Sequence, residues 1–308
     1  MKKIEPKILV TNPMSFSKEQ IARLKKLGKV KFHNSHPETA DEWLKRCQGY
    51  KIICSWMFGL REKYHQLKDA FITVPFVGVG SFADPSVLKT NNITLCNAPG
   101  SNRHAVSEWI IFMILMAMRK LGKYTNTEET LSFPLSDPTI GLAGKNITIL
   151  GKGNVGKRVG QICSAFEMNV TYFKRGDDLK KAVKNAYIGV NVLSSNPDSK
   201  GLLDKKFFNS LKKGSVFITV TADEIIDIEA MLKAVNTGRL FYIAHDVMSA
   251  RPADSNNPFY IKLQKHPKIF ATPHIAGFSD VTNKIGNDMM IDNLEAYLKG
   301  KPINVFGR

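Results

Sequence analysis

The chain has 308 residues, enough for two domains that each bury a core, and its 43% hydrophobic and 23% charged residues are those of a soluble globular protein. The longest apolar run, Trp109 to Met118, is too short to span a bilayer, and Met1 to Pro6 lack the apolar stretch of a secretory signal, so neither a membrane partner nor export is expected. The 44 Lys and Arg against 27 Asp and Glu leave a net charge of +17. It is spread in pairs such as Lys25-Lys26, Lys180-Lys181 and Lys212-Lys213 with no basic block, which fits a solvated surface that steers small anions and gives no sign of nucleic-acid reading.

Four scattered cysteines (Cys47, Cys54, Cys96, Cys163) with no CxxC pair point to reduced thiols in the cytoplasm and to neither disulfides nor zinc. The closest histidine pair, His33 and His36, has no ligand cluster around it, so no metal site is expected.

In chain order, Lys7 to Val10 reads as a strand and Ser17 caps a helix to about Leu27. A strand at Lys29 to Phe32, a helix at Pro37 to Cys47, a strand at Lys51 to Trp56 and a helix at Arg61 to Lys68 follow. Phe71 to Val79 reads as a broken strand and Ile93 to Cys96 as another. This alternation predicts a parallel sheet. Ala105 to Lys120 is a strongly apolar helix, followed by a polar stretch, Tyr124 to Thr139. Further strands are expected near Ile188–Leu193, Ser215–Val220, Leu240–Val247 and Lys268–Ala271, and an amphipathic helix from about Val281 to Leu298.

Between the polar stretch and these strands lies Gly151-Lys152-Gly153-Asn154-Val155-Gly156. It follows the apolar run Ile147 to Leu150 and opens a helix, Val155 to Met168, which leads to a second strand, Asn169 to Phe173. Glycines let a backbone turn sharply and approach a pyrophosphate, and the helix start offers unpaired N–H groups and a positive dipole end to the phosphates. With Gly160 as a fourth close-packing glycine, the strand–turn–helix–strand order predicts dinucleotide binding through Gly151, Gly153, Asn154, Val155 and Gly156.

Five landmarks in order carry a family resemblance: Asn97-Ala98-Pro99-Gly100 ahead of Ala105-Val106-Ser107-Glu108; the glycine turn; Leu202-Leu203 after Asn196-Pro197-Asp198-Ser199; Asp246-Val247; and Thr272-Pro273-His274-Ile275-Ala276-Gly277. Together they resemble the D-isomer-specific 2-hydroxyacid dehydrogenases over nearly the whole chain. The resemblance implies an α/β fold of two doubly wound parallel-sheet domains. A Rossmann nucleotide-binding domain, residues 104–283, would be inserted in a flavodoxin-like substrate domain made of residues 1–103 and 284–308. It also implies a homodimer through the nucleotide domain, for which the apolar helix at Trp109 to Met118 is suited.

The implied reaction moves a hydride between a nicotinamide dinucleotide and a small 2-hydroxy or 2-oxo acid. The family's His takes the hydroxyl proton, a Glu pairs with it, and an Arg forks onto the substrate carboxylate and carbonyl. His274 matches the His. At the Arg position, after the strand Ser215 to Val220, stands Ala222, and at the Glu position, before Pro252, stands Arg251. A charge-assisted fork contributes about 1.5–3 kcal/mol, so its loss is consequential. Either Arg251 holds the substrate anion while Asp223 or Glu224 orients His274, or the chain is a catalytically silent relative that binds dinucleotide as a redox sensor or protein-interaction module.

By the same resemblance Ser194, Thr221, Asp246 and Gly277 complete the cofactor contacts. Val79, Gly80 and Ser81 would offer N–H groups to a small anionic substrate, and Trp56, Met57 and Arg103 would line its pocket between the domains. NAD-binding members end the second strand with an acidic residue on the ribose hydroxyls. Here Lys174 and Arg175 stand there, which favours NADP over NAD.

Overall fold

A computed structural model describes residues 5–121, 139–249 and 256–307. It divides into two compact units, Met1–Asn102 with Ser279–Arg308, and Arg103–Phe278. Most of the polar stretch from Tyr124 and the candidate Arg251 lie outside the described residues.

The first unit is a five-stranded parallel sheet, β1 (Lys7–Val10), β2 (Lys29–Phe32), β3 (Ile52–Cys54), β4 (Ala70–Thr73) and β5 (Ile93–Cys96), ordered β2-β1-β3-β4-β5. This is the flavodoxin-like winding. Both faces are apolar because helices cover both. Leu9, Ile53, Ile72 and Leu95 point to Trp43, Leu60 and Leu88, while Ile8, Ile52 and Phe71 point to Leu24, Met290 and Leu294. The connections carry α1 (Lys18–Leu27), α2 (Ala40–Cys47), α3 (Leu60–Lys63) and α4 (Pro85–Thr90). Ser17 and Gln20 form a reciprocal capping box at the start of α1.

Two expected elements are shorter than the sequence suggests. The helix from Arg61 is one turn of α3 that tightens into a 3-10 turn at Tyr64–Gln66, where the Tyr64 hydroxyl accepts the Asp84 N–H at 2.9 Å. The strand from Phe71 stops at Thr73, and Val79–Ser81 form a 3-10 turn of their own.

The last helix of this unit (Asp280–Leu298) buries Gly286, Asn287, Met290, Ile291, Asn293 and Leu294 as one stripe. The amides in that stripe tie segments together. Asn293, fully buried, donates to the Asn97 carbonyl at 2.9 Å and to Thr73 Oγ1 at 3.3 Å, and accepts from Asn304 Nδ2 at 2.8 Å.

The second unit is a six-stranded parallel sheet, β6 (Asn146–Leu150), β7 (Asn169–Phe173), β8 (Ile188–Asn191), β9 (Ser215–Thr219), β10 (Leu240–Asp246) and β11 (Ile269–Thr272), ordered β11-β10-β9-β8-β6-β7. Its helices are α5 (Arg103–Met118), α6 (Asn154–Ala165), α7 (Leu179–Val183), α8 (Lys205–Ser210), α9 (Ile228–Asn236) and α10 (Pro258–Gln264); the closing helix of the first unit is α11.

Dinucleotide sheets commonly order their strands 3-2-1-4-5-6. Here β7 is followed directly by β8, which pairs on the far side of β6. Residues 174–187 hold only one short helix, too little chain for an extra strand and a second crossover. The switch in winding direction falls at β6, between its neighbours β7 and β8, where the glycine turn begins. Among the described residues no helix is long and apolar enough to cross a membrane.

Replacing Asn293 with Leu takes away the partner of the half-buried Asn97 carbonyl and Asn304 amide. The change should cost about 2–3 kcal/mol, read as a lower urea midpoint; an unchanged midpoint would show that this amide network does not hold the unit together.

Candidate active site

The strand β6 delivers the chain to Gly151 with φ +109°, a left-handed conformation that favours glycine. A Cβ there would meet the Val192 carbonyl at 3.0 Å, so the turn runs against the segment leaving β8. At Gly156 a Cβ would lie 2.1 Å from the Gly151 carbonyl oxygen, a backbone contact that no side chain survives. At Gly153 the same construction meets nothing within 4 Å, and no side chain caps α6 at this residue. The loop is thus closed on the protein side and open on the other. The first-turn N–H groups of α6 have no capping side chain, which is the arrangement a pyrophosphate fits.

The residues flanking this turn are Lys152, whose Nζ lies 4.8 Å from the centre of the Tyr172 ring, and the exposed pair Lys174 and Arg175 beyond β7. Arg175 Nη2 contacts Asp198 Oδ2 at 2.6 Å. Ser194 lies in the segment after β8, its carbonyl accepting from Ser199 Oγ at 2.8 Å. Buried Thr221 accepts from Asn191 Nδ2 at 2.7 Å, joining the ends of β8 and β9.

Asp246 ends β10 and is 2% exposed. Its Oδ1 accepts the Thr272 hydroxyl and the Ile275 N–H, and its Oδ2 accepts the Ala276 N–H at 2.9 Å. The carboxylate expected at the cofactor is therefore spent on the segment Thr272 to Ala276. That segment carries His274, half-buried, at φ +54°, with its N–H on the Thr272 carbonyl and its ring 6.4 Å from Phe278. A non-glycine residue in the left-handed region persists only where its surroundings over-determine it. Asp246 supplies that constraint. Gly277 follows in the same turn.

The expected orientation of His274 by Asp223 or Glu224 is not formed. Among the described residues no carboxylate lies within 4 Å of the His274 ring. Asp223 instead faces the fully buried His245, with Oδ1 3.2 Å from Nε2, and its Oδ2 accepts the Ser249 N–H at 3.1 Å. The imidazole lies off the hydrogen-bond line, so both its nitrogens and Asp223 Oδ1 lack an aligned partner. The Glu224 carboxylate accepts from Ser195 Oγ. Both acids follow Ala222 in a 3-10 turn (Asp223–Ile225), held by the contact with His245 and by hydrogen bonds to Ser249 and Ser195. The sequence gives no period or motif that would reveal the Asp223–His245 pair.

In the first unit, Val79 is buried and its N–H bonds the Val77 carbonyl. Of the three expected donors it is thus committed. Gly80 and Ser81 are exposed in the 3-10 turn that Val79 opens, and the Ser81 hydroxyl donates to the Gly78 carbonyl at 3.0 Å. Trp56 is half-buried, edge-on to Phe76 at 5.3 Å, and its N–H bonds Asn12 Oδ1 at 3.3 Å. Arg103 starts α5 and donates to His104 at 3.2 Å, which puts it in the second unit. No disulfide joins the four buried cysteines, and burial pushes the Cys47, Cys54 and Cys163 thiols up to about 12, which disfavours the nucleophilic thiolate at these three.

Residues 111–276 match the family model described as D-isomer specific 2-hydroxyacid dehydrogenase, NAD binding domain. The chain belongs to the D-isomer-specific 2-hydroxyacid dehydrogenase family. It is 23% identical over 305 residues to a D-lactate dehydrogenase of Staphylococcus aureus, covering 89% of this chain and 91% of that one. It is 25% identical over 281 residues to a glycerate dehydrogenase of Methylorubrum extorquens, covering 87% and 88%. Among solved structures, an acyclic imino acid reductase in complex with NADPH and D-Arg aligns with a TM-score of 0.83 at 22% identity, covering 97% of this chain and 99% of that one. At that identity the likeness speaks for the fold.

Burial raises the Asp223 carboxyl, but its contacts with His245 and Ser249 outweigh that and hold it below its ordinary 3.8. A depressed acid stabilises the fold above its unfolded pKa, and the contribution vanishes as pH falls through the folded value. Asp223→Asn should therefore unfold at lower urea than the parent at pH 7, with the gap closing as the pH falls from the ordinary 3.8 through the depressed folded value. A gap independent of pH would mean that the carboxylate charge is not what holds this turn.

Proposed function

We propose that the chain is an NAD(P)-dependent oxidoreductase for a small 2-hydroxy or 2-oxo acid, working through an altered catalytic set. The observation that carries this reading is the glycine cradle. Gly151 and Gly156 are locked by backbone contacts, Gly153 is open, and the α6 N–H groups lack a capping side chain. A dinucleotide bound there supplies the ring that accepts or gives hydride. His274, held in one backbone conformation through the Asp246 contacts, exchanges the proton at the substrate oxygen. In the first unit, Trp56, Gly80 and Ser81 are the residues that the family resemblance assigns to the substrate. Ser194, Thr221 and Gly277 border the dinucleotide, and Asp246 acts on it only through the segment it anchors. Lys174 and Arg175, standing where an acid would bind the ribose, favour NADP over NAD.

The altered part of the site favours a second reading beside it, a relative that binds dinucleotide with little turnover. Ala222 offers no fork to the substrate, and the acids that follow it are drawn to His245 and Ser195. Losing an interaction of about 3 kcal/mol from the transition state slows a reaction roughly a hundredfold. NADPH oxidation with glyoxylate, pyruvate or hydroxypyruvate should accordingly run at least about a hundredfold below the roughly 10 s⁻¹ typical of enzymes. Ala222→Arg should raise it and His274→Gln abolish it. Ordinary rates in the parent chain would show that Ala222 is not a loss, and no rise in Ala222→Arg would place the substrate fork elsewhere.

The same reading makes the chain a homodimer through α5. This helix is apolar on every side, with Phe112 54% exposed and Trp109, Ile111, Leu115 and Met116 half-exposed. Such a surface is more than a monomer ordinarily leaves to water. Sedimentation at micromolar concentration should give about twice 34.4 kDa, and Phe112→Glu should shift it to monomer. A monomeric parent chain would reject the assignment.

A further inference from the structure

The winding of the second sheet puts β7 and β8 on opposite sides of β6. The strands are parallel, so the segments after all three leave the same edge. Arg175 belongs to the segment after β7 and Asp198 to the segment after β8. Their contact at 2.6 Å therefore reaches across the end of β6, over the edge at which the glycine turn begins.

Both partners stand on turns closed by their own hydrogen bonds. Lys174 and Asp177 bond reciprocally around Arg175, with Lys174 N–H on Asp177 Oδ2 at 2.7 Å and Asp177 N–H on the Lys174 carbonyl at 3.0 Å. Asn196 Oδ1 accepts the N–H groups of Asp198 and Ser199 at 3.0 and 3.2 Å, and Ser199 Oγ returns to the Ser194 carbonyl. The two turns hold the backbones of these residues, and the side chains meet in solvent, 78% and 66% exposed. An ion pair this exposed opens at little cost. Lys152 adds a third cation beside the turn, seated over Tyr172 on β7.

We propose that Asp198 is a specificity-determining residue for the dinucleotide. Its carboxylate occupies, for Arg175, the place that a 2′-phosphate takes. This rests on the reading that the glycine turn binds a dinucleotide. A ligand without the 2′-phosphate leaves the Arg175–Asp198 clasp closed. A ligand with it must draw Arg175 from Asp198, and Lys174 and Lys152 complete a cationic surround for the phosphate. The carboxylate therefore acts as a competing anion that weakens NADP(H) and leaves NAD(H) nearly untouched. The preference for NADP set by the three cations is tempered by a residue from the neighbouring loop.

Calorimetric titration of the full chain with NADPH and with NADH tests this without turnover. Asp198→Asn should tighten NADPH about fivefold and move NADH less than twofold. Arg175→Gln should weaken NADPH about tenfold. In the Arg175→Gln background, Asp198→Asn should have no further effect on NADPH, since the two side chains act as a pair. Equal shifts for NADPH and NADH in Asp198→Asn, or effects of the two substitutions that simply add, would overturn the proposal while leaving the dinucleotide site intact. Binding of neither nucleotide to the parent chain would remove the dinucleotide reading itself, and this inference with it. Both side chains are exposed, so folding is not at stake, and a matching thermal midpoint for each variant checks it.

Discussion

The Gly151 carbonyl oxygen lies where a side chain at residue 156 would begin. That backbone-on-backbone approach sets how steeply α6 leaves the glycine turn, and so where its first N–H groups point. It depends in turn on Gly151 turning at positive φ against the Val192 carbonyl, which ties the turn to the end of β8. Everything that borders the turn inherits its position from this contact: Lys152 over Tyr172, the turn after β7, and the loop after β8. The sheet supplies the rest. Among the described residues no strand lies beyond β7, so the turn holding Lys174 and Arg175 stands at the sheet edge.

A second constraint has the same character at the other end of the sheet. One buried carboxylate, Asp246, collects a hydroxyl and two N–H groups from the segment after β11. Several hydrogen bonds to one ionised group are stronger than the same number between neutral partners. They hold a histidine in a backbone conformation that chains otherwise avoid. The residue that does this comes from β10, the strand next to β11, so its effect on His274 is set by strand pairing.

What the sequence made legible and what it did not divide along a physical line. The glycine turn and the strands beside it were readable because each is local: a period, a cap, or a glycine where the backbone needs one; the Thr272 to Gly277 segment stood out only through the family resemblance. The order of the six strands was not, since the absence of a strand after β7 shows only as a short connection. Nor were the pairs Arg175–Asp198 and Asp223–His245, whose partners are separated in sequence and meet only through sheet topology. Asp246 shows the limit most clearly. Its place in the sequence suggested a cofactor contact, and its burial and bonding make it an anchor. Nor could the sequence show that Asp223 meets a buried imidazole and the exposed Glu224 a serine hydroxyl.

Under the proposed function the two parts of the site differ in how they are made, and so in how each withstands substitution. The phosphate cradle is built from backbone N–H groups and from the absence of side chains at three glycines. Substitutions around it alter its rim and leave its floor intact. Lys174, Arg175 and Asp198 set the charge of that rim from outside the turn, and Lys152 sets it from within by its side chain alone. A fork to a carboxylate, by contrast, is one side chain, and a single replacement such as Ala222 removes it whole. Once it is gone, nothing cationic on this turn draws the acids beside it outward. Asp223 is drawn to a buried imidazole and Glu224 to a serine hydroxyl, contacts that secure the turn. A charge at Asp223 facing a restored guanidinium would compete with His245 for it, so the altered turn resists simple reversion. Backbone-made and side-chain-made chemistry thus respond differently to substitution, and under the proposed function the cradle withstands changes that would remove the fork.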